Sequence, residues 1–195
     1  MGGSAVRVIR TPVNRGKGHA VREGMLAATG EHRLFTDADG STPIGEYDSL
    51  RVALGAMGGS GVAFGSIGVE DARVDQPQRG LRPALGKLGN LFIRAMAPPG
   101  VHDSQRGFKL LSADAAEAVF SRCVIDGWGF DVELLTLARR FDFPAVEVPV
   151  TWAHVAGGSI TSLAYVTTLK DVARVRWRLI RRAYDLSAQV PTTVI

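Results

Sequence analysis

The sequence predicts an α/β domain built on a mostly parallel sheet flanked by helices. Two observations carry that expectation. Short apolar runs of strand length alternate with longer stretches whose apolar residues recur at helical spacing, the order that builds parallel sheets through helical crossovers. The 195 residues are also 46% apolar and 22% charged, which supplies one buried core and argues against a disordered chain, a collagen-like fibre or a disulfide scaffold.

Val6, Val8 and Ile9 read as a short opening strand, followed by the loop Asn14-Arg-Gly-Lys-Gly18. Ala20 to Thr29 reads as a helix, because Val21, Met25, Leu26 and Ala28 recur at helical spacing and Gly30 supplies a stop. Arg33 to Thr36 is a short strand running into Asp37-Ala-Asp39-Gly40, and a helix is expected over about Ile44 to Met57. Val62 to Ser66 is a strand, the polar Gly/Pro/Arg-rich stretch between Phe64 and Leu85 a surface loop, and Leu85 to Met96 a helix. Gly107 to Leu111 is a strand, Ala113 to Phe120 and Phe130 to Arg140 are helices, and Ala145 to Trp152 is a strand with Val146, Val148 and Val150 on one face. Leu163 to Leu186 closes the chain as an amphipathic helix, giving an organisation of 1–162 as one domain and 163–195 as basic helix and tail.

The net charge is +4, and its placement says more than its size. From Lys170 onward six basic residues face two acidic ones, while the first 169 residues are neutral as a set. An excess confined to one segment does not match the spread basic face of a nucleic-acid binder, so no nucleic-acid partner is expected. Lys170, Arg174, Arg178, Arg181 and Arg182 share one stripe of the helix; Leu169, Val172, Leu179, Ile180, Ala183 and Tyr184 share the opposite one, with Arg176 inside it. That pattern serves either an anionic membrane surface, met through residues 170–182, or a helix packed on the domain with solvated arginines. No apolar run reaches the about 18 residues of a membrane span. The lone Cys123 forms no bridge within the chain and reads as a buried, inert thiol.

Four strings carry possible chemistry. Asp37-Ala-Asp39 in the turn beyond a strand end aims two carboxylates at one hard divalent cation, or is simply a solvated turn. Asn14 to Arg22 is a glycine-rich helix start able to offer backbone N–H groups and Lys17 to phosphate, without the spacing of an ATP-hydrolysing loop. Asp103-Ser-Gln-Arg-Gly-Phe-Lys109 gathers an acid, an amide and two cations, or is a strand entry with a surface ion pair. Asp126-Gly-Trp-Gly-Phe-Asp-Val-Glu133 sets acids and aromatics around two glycines, where Asp131 and Glu133 could do no more than cap a helix. The four histidines show no metal-ligand spacing.

In this order, N-x-G-K-G-x-A-V-R-x-G-M, L-F-T-D-A-D-G-S-T, D-S-Q-x-G-F-K, G-W-G-F-D-V-E-L-L and E-V-P-V-x-W with a following Gly-Ser resemble the family 2 glycosyltransferases of GT-A fold, in the polyprenyl- or dolichyl-phosphate subgroup, over about Asn14 to Arg178. The family's usual P-x-Y-N-E and D-D-G-S strings are not in the chain, so the GT-A domain is expected to be incomplete at its N-terminus. Gly65-Ser66-Ile67 stands where the family more often has Gly-Ser-Arg, leaving Arg73, Arg79 or Arg82 to supply that cation.

The resemblance implies hexose transfer, with inversion, from a nucleotide-sugar donor, UDP-glucose first and GDP-mannose second, to a polyprenyl or dolichyl phosphate acceptor at the cytoplasmic membrane face. It makes Asp39 the direct ligand of Mg²⁺ or Mn²⁺ with Asp37 beside it, and Asp103 the acid near the acceptor. It further places Lys17, Arg82, Arg106 and Lys109 at donor or acceptor phosphates. A non-catalytic remnant of the same fold and a nucleotidyltransferase of related sheet are the competing expectations.

Overall fold

Strand β1 (His32–Thr36), β2 (Val62–Ser66), β4 (Phe108–Ser112) and β5 (Ala145–Pro149) form one sheet in the order β1-β4-β2-β5, and β3 (Arg73–Asp75) pairs with β6 (Thr151–Ala153) in a second, two-stranded sheet. Among the described residues five α-helices accompany them: α1 (Lys17–Ala27), α2 (Tyr47–Ala56, entered through a 3₁₀ turn at Ile44–Glu46), α3 (Ala113–Phe120), α4 (Phe130–Arg140) and α5 (Ser162–Ile180). The computed structural model describes residues 6–75, 98–153 and 162–184. The expected helix over Leu85 to Met96 lies outside the described residues, as do Arg79 and Arg82.

The α/β class holds, but the sheet is mixed. β2 and β5 run parallel, whereas β4 is antiparallel to both β1 and β2. The reason is local. The chain enters β4 at the end where β1 and β2 finish, with the Asp37 amide donating to the Gly107 carbonyl at 2.7 Å. A strand entered from that end must run back between its neighbours.

The alternation of β4 sorts its residues between two cores. Phe108 and Leu110 face α2 with Leu50, Leu54, Ala63, Val148 and Val150. Leu111 faces the other side, where Phe35, Val62 and Phe64 meet α1, α3, α4 and α5 through residues such as Met25, Phe120, Phe130, Leu134 and Val175. The domain is therefore three layers, helix, sheet and helices, with the strand ends of β1, β2 and β5 gathered at one edge. Helix α5 belongs to this packing: Val172 and Val175 are buried, and Tyr184 just beyond its end donates its hydroxyl to Glu133 at 2.7 Å.

Several expectations shift at their borders. Helix α1 starts three residues earlier than its apolar spacing indicates, and its C-cap is Ala28 rather than Gly30. The run Ala145 to Trp152 divides into β5 and β6, which belong to different sheets. Val6, Val8 and Ile9 form no strand; Val6 and Val8 are 89% and 71% exposed, because no described neighbour pairs with them. Cys123 is buried and free, and burial pushes its thiol well above the usual range.

Candidate active site

Residues of all four strings meet near the carboxyl ends of β1 and β2 and the entry to β4. β1 delivers Asp37, whose carboxylate meets Lys17 Nζ at 2.5 Å. Lys17, the first residue of α1, also lies 5.1 Å from the Trp128 ring centroid and 5.8 Å from that of Phe130. Gly107 allows this approach, since a Cβ there would collide with the Asp37 carboxyl group. Asp39 sits two residues on in an exposed turn, with Oδ1 accepting the Ser41 amide at 2.9 Å.

The two aspartates are thus unequal. Asp37 already carries a cationic partner, whereas Asp39 has an exposed carboxylate with one oxygen engaged by an amide. Hard oxygen donors of this kind, one or two carboxylates with the remaining positions left to water and phosphate, fit Mg²⁺ or Mn²⁺. No group of three or more His, Cys, Asp or Glu gathers to make a protein-only metal cage among the described residues.

Asp103 is 6% exposed and fully engaged. Arg106 Nε donates to its Oδ2 at 2.8 Å, the Ile67 amide at the end of β2 to the same oxygen at 3.4 Å, and the Gln105 amide to Oδ1 at 3.2 Å. Arg106 in turn stacks over the Trp152 ring at 4.8 Å. Gln105 Nε2 is buried without a described partner, a donor beside this acid that still has its hydrogen bonds to give.

Lys109 is a correction to the sequence reading. It alternates onto the helix-covered face of β4, is 0% exposed, and meets Asp131 Oδ1 at 2.5 Å while donating to the Arg106 carbonyl. A lysine buried so completely reaches no phosphate; it holds the first turn of α4 to the sheet. Burial lowers the Lys109 ammonium and raises the Asp131 carboxyl, each countered by the attraction of the other. Asp131 and Glu133 also do not cap α4, whose N-cap Gly129 has no side-chain hydrogen bond. Glu133 instead accepts the Val124 and Ile125 amides and the Tyr184 hydroxyl.

The glycine-rich start of α1 is likewise less open than its sequence implies. The Gly16 amide donates to Asn14 Oδ1 and the His19 amide to the Asp126 carbonyl, so these two N–H groups are not offered to an anion. Arg15 and Arg22 bond the Asp126 carboxylate and hold it below the usual range in spite of its burial. Lys17 remains the cation this segment presents. Reasoning from sequence missed the Lys17–Asp37 pair; the signal was present in the order of a Lys at a helix start and an acid at the next strand end.

An acid turn on one strand end, a lysine paired to it and a buried acid–arginine loop face the same edge of the mixed sheet. The chain belongs to glycosyl transferase family 2, whose sequence model matches residues 2–120. It is 37% identical over 164 residues to a dolichyl-phosphate beta-glucosyltransferase of Drosophila melanogaster, covering 82% of this chain and 50% of that protein. The corresponding human protein, also named dolichyl-phosphate beta-glucosyltransferase, is 31% identical over 95% of this chain and 59% of its own length. The chain therefore spans about half the length of the curated relatives it matches. In fold it is similar to glucosyl-3-phosphoglycerate synthase from Mycobacterium tuberculosis, with a TM-score of 0.60 over 85% of this chain and 56% of that one at 17% identity.

Proposed function

We propose that this domain transfers glucose from UDP-glucose to a dolichyl or other polyprenyl phosphate with inversion at the anomeric carbon, assisted by Mg²⁺ or Mn²⁺. The observation that carries the reading is the meeting, at one sheet edge, of the Asp37–Asp39 turn with the Asp103–Arg106 loop. The relatives named dolichyl-phosphate beta-glucosyltransferase support the choice of sugar and acceptor.

Each residue has a distinct role. Asp39, with Asp37 beside it, would hold the cation, whose positive charge would be available to the diphosphate leaving group. Lys17, paired to Asp37 and steadied by Trp128 and Phe130, orients the donor phosphates. A lipid phosphate is already an anion at neutral pH, so little base strength is asked of the protein and placement dominates. Asp103 suits orientation rather than proton transfer, because its two oxygens are occupied by Arg106 and backbone amides, which fixes its direction. Arg106 offers the rest of its planar guanidinium to the acceptor phosphate. Arg82 lies outside the described residues and is assigned to phosphate by the resemblance alone.

The acceptor's tail places the reaction at a membrane surface, at its cytoplasmic face in this reading. No helix among the described residues is long and apolar enough to cross a bilayer. Contact would fall to α5, whose exposed side shows Val166, Trp177 and Ile180 among Lys170, Arg174 and Arg181.

The test is transfer of labelled glucose from UDP-glucose to dolichyl phosphate in detergent with Mn²⁺, using the 195-residue chain, with GDP-mannose as the competing donor. We expect glucosyl lipid from the wild type. In Asp39→Asn we expect Mn²⁺ affinity to fall by at least the about 10–100-fold seen when a mere outer-shell partner is removed. Mannosyl lipid in preference to glucosyl lipid would replace the donor, and no transfer from either would leave the non-catalytic reading in its place.

A further inference from the structure

We propose that Glu147 and Trp152, the two ends of the E-V-P-V-x-W string, are positioning residues that hold the Asp103–Arg106 loop in its working geometry. The inference rests on the reading of that loop as the acceptor side of the transfer site. The residues from His102 to Gly107 form no helix or strand, and a buried loop of this kind must find acceptors for its amides elsewhere. Glu147 supplies them. Its carboxylate accepts the His102 amide at 3.0 Å, the Asp103 amide at 2.7 Å and His102 Nδ1 at 2.7 Å, with the side chain 8% exposed.

The strand explains why an acid can stand there. In β5 the alternation sends Val148 into the core beneath α2, with Val146 packed against it, and Glu147 to the opposite face. Chain pairing then fixes its height, since Glu147 stands opposite Phe64 in β2, two residues before the end of that strand. An apolar residue at position 147 would satisfy the sheet equally well but would leave two loop amides bare. Charge-assisted bonds to N–H groups are the strong kind.

Trp152 acts on the other end of the same loop. It lies in β6, bound to β3 rather than to β5, and its ring underlies the Arg106 guanidinium at 4.8 Å. Arg106 Nε holds Asp103 Oδ2 at 2.8 Å. One carboxylate therefore fixes the backbone of the acid and one indole fixes the cation that aims it. Between them Val148 and Val150, 7% and 2% exposed, anchor both to the core. The frame presents rigid strand positions to a loop that has no regular structure of its own.

The experiment compares Glu147→Ala, Glu147→Gln, Trp152→Ala and Trp152→Phe with the wild-type chain, reading amide hydrogen exchange and glucosyl transfer kinetics. In Glu147→Ala the His102 and Asp103 amides exchange faster by about 10–100-fold, as expected for lost charged hydrogen bonds, while β2 amides keep their protection. Misplacing the loop lowers kcat by about 100-fold while the donor KM stays within about twofold. Glu147→Gln, which keeps an acceptor oxygen, and Trp152→Phe, which keeps an aromatic face, recover part of the loss; Trp152→Ala shows the kcat defect without faster exchange at His102. A kcat within about twofold of wild type in Glu147→Ala overturns the proposal alone. So does a donor KM that rises in step with the fall in kcat, the mark of damage that reaches the donor side of the site. Absence of transfer by the wild type overturns the functional reading, and the frame is then decided by exchange: amides at 102 and 103 that are unprotected, or indifferent to Glu147→Ala, refute it.

Discussion

Lys109 and Lys17 show how position within an element decides the work of a side chain. Both stand in strings that sequence alone reads as phosphate-binding. Lys109 alternates inward on β4 and disappears beneath α4 against Asp131, whereas Lys17 opens α1 at the site edge and is 19% exposed against Asp37. A buried ion pair is a weak source of stability because desolvation offsets the attraction, yet removing one partner strands the other. Lys109→Met should therefore destabilise the domain by about 3–5 kcal/mol, and Lys109→Met with Asp131→Leu should restore most of that loss. Urea unfolding of the two variants measures it. If the double variant folds like the wild type but binds UDP-glucose no longer, Lys109 has a ligand role that its burial denies.

At the scale of elements, Glu133 ties three segments together. From the first turn of α4 it accepts the Val124 and Ile125 amides and the Tyr184 hydroxyl, so the segment after α3, the start of α4 and the segment after α5 share one buried carboxylate. Burial raises its pKa above the ordinary glutamate value, the hydrogen bonds opposing that shift without cancelling it. The native state therefore holds this proton more tightly than the unfolded chain does. The stabilisation it contributes is fully present below the ordinary carboxylate range and is lost as pH rises through the raised pKa. Compared with Glu133→Gln, the wild type should hold its greatest stability advantage at low pH, and that advantage should shrink toward neutrality in urea midpoints taken across the range. An advantage that grows with pH would refute the raised pKa.

These same elements show what the sequence made legible. Helices α3 and α4 and strand β2 stand where apolar spacing and breakers put them, because each is an amphipathic or wholly buried segment with its own local signal. The antiparallel course of β4 carries no such signal, since pairing direction depends on where the preceding segment leaves the chain. Asp37, Asp39, Asp103 and Arg106 were readable as candidates that the fold brings to one edge; the Lys17–Asp37 pair and the Glu147 contact join residues distant in sequence, and composition holds no trace of a distance. The helical wheel of α5 also misplaced Ile180, which is 73% exposed, because the wheel shows one face without saying which neighbours arrive to cover it.

The whole molecule joins its basic helix to its site. A Cβ at Gly127 would collide with Asp171 Oδ2 and one at Gly129 with Asp171 Cβ, so α5 presses directly on the turn that carries Trp128 over Lys17. The buried side of α5 uses Val172 and Val175, which leaves Val166, Trp177 and Ile180 at 48%, 52% and 73% exposure on the other side, with Arg181 over the Trp177 ring at 4.3 Å. Apolar side chains among cations are what an anionic interface accepts: the rings and branched chains enter the headgroup boundary while lysine and arginine meet the phosphates. If α5 seats the domain on a membrane, the two chemistries separate by lipid. Changing Lys170, Arg174 and Arg181 together to Gln should weaken binding to phosphatidylserine vesicles by about 1 kcal/mol per cation, roughly 100-fold in all, and vanish as a difference in high salt. Changing Trp177 and Ile180 to Ser should weaken binding to anionic and neutral vesicles alike, with the thermal midpoint unmoved because neither side chain is part of the core. Vesicle co-sedimentation reads both; equal binding by wild type and both variants would leave the arginines as solvated charges on a packed helix.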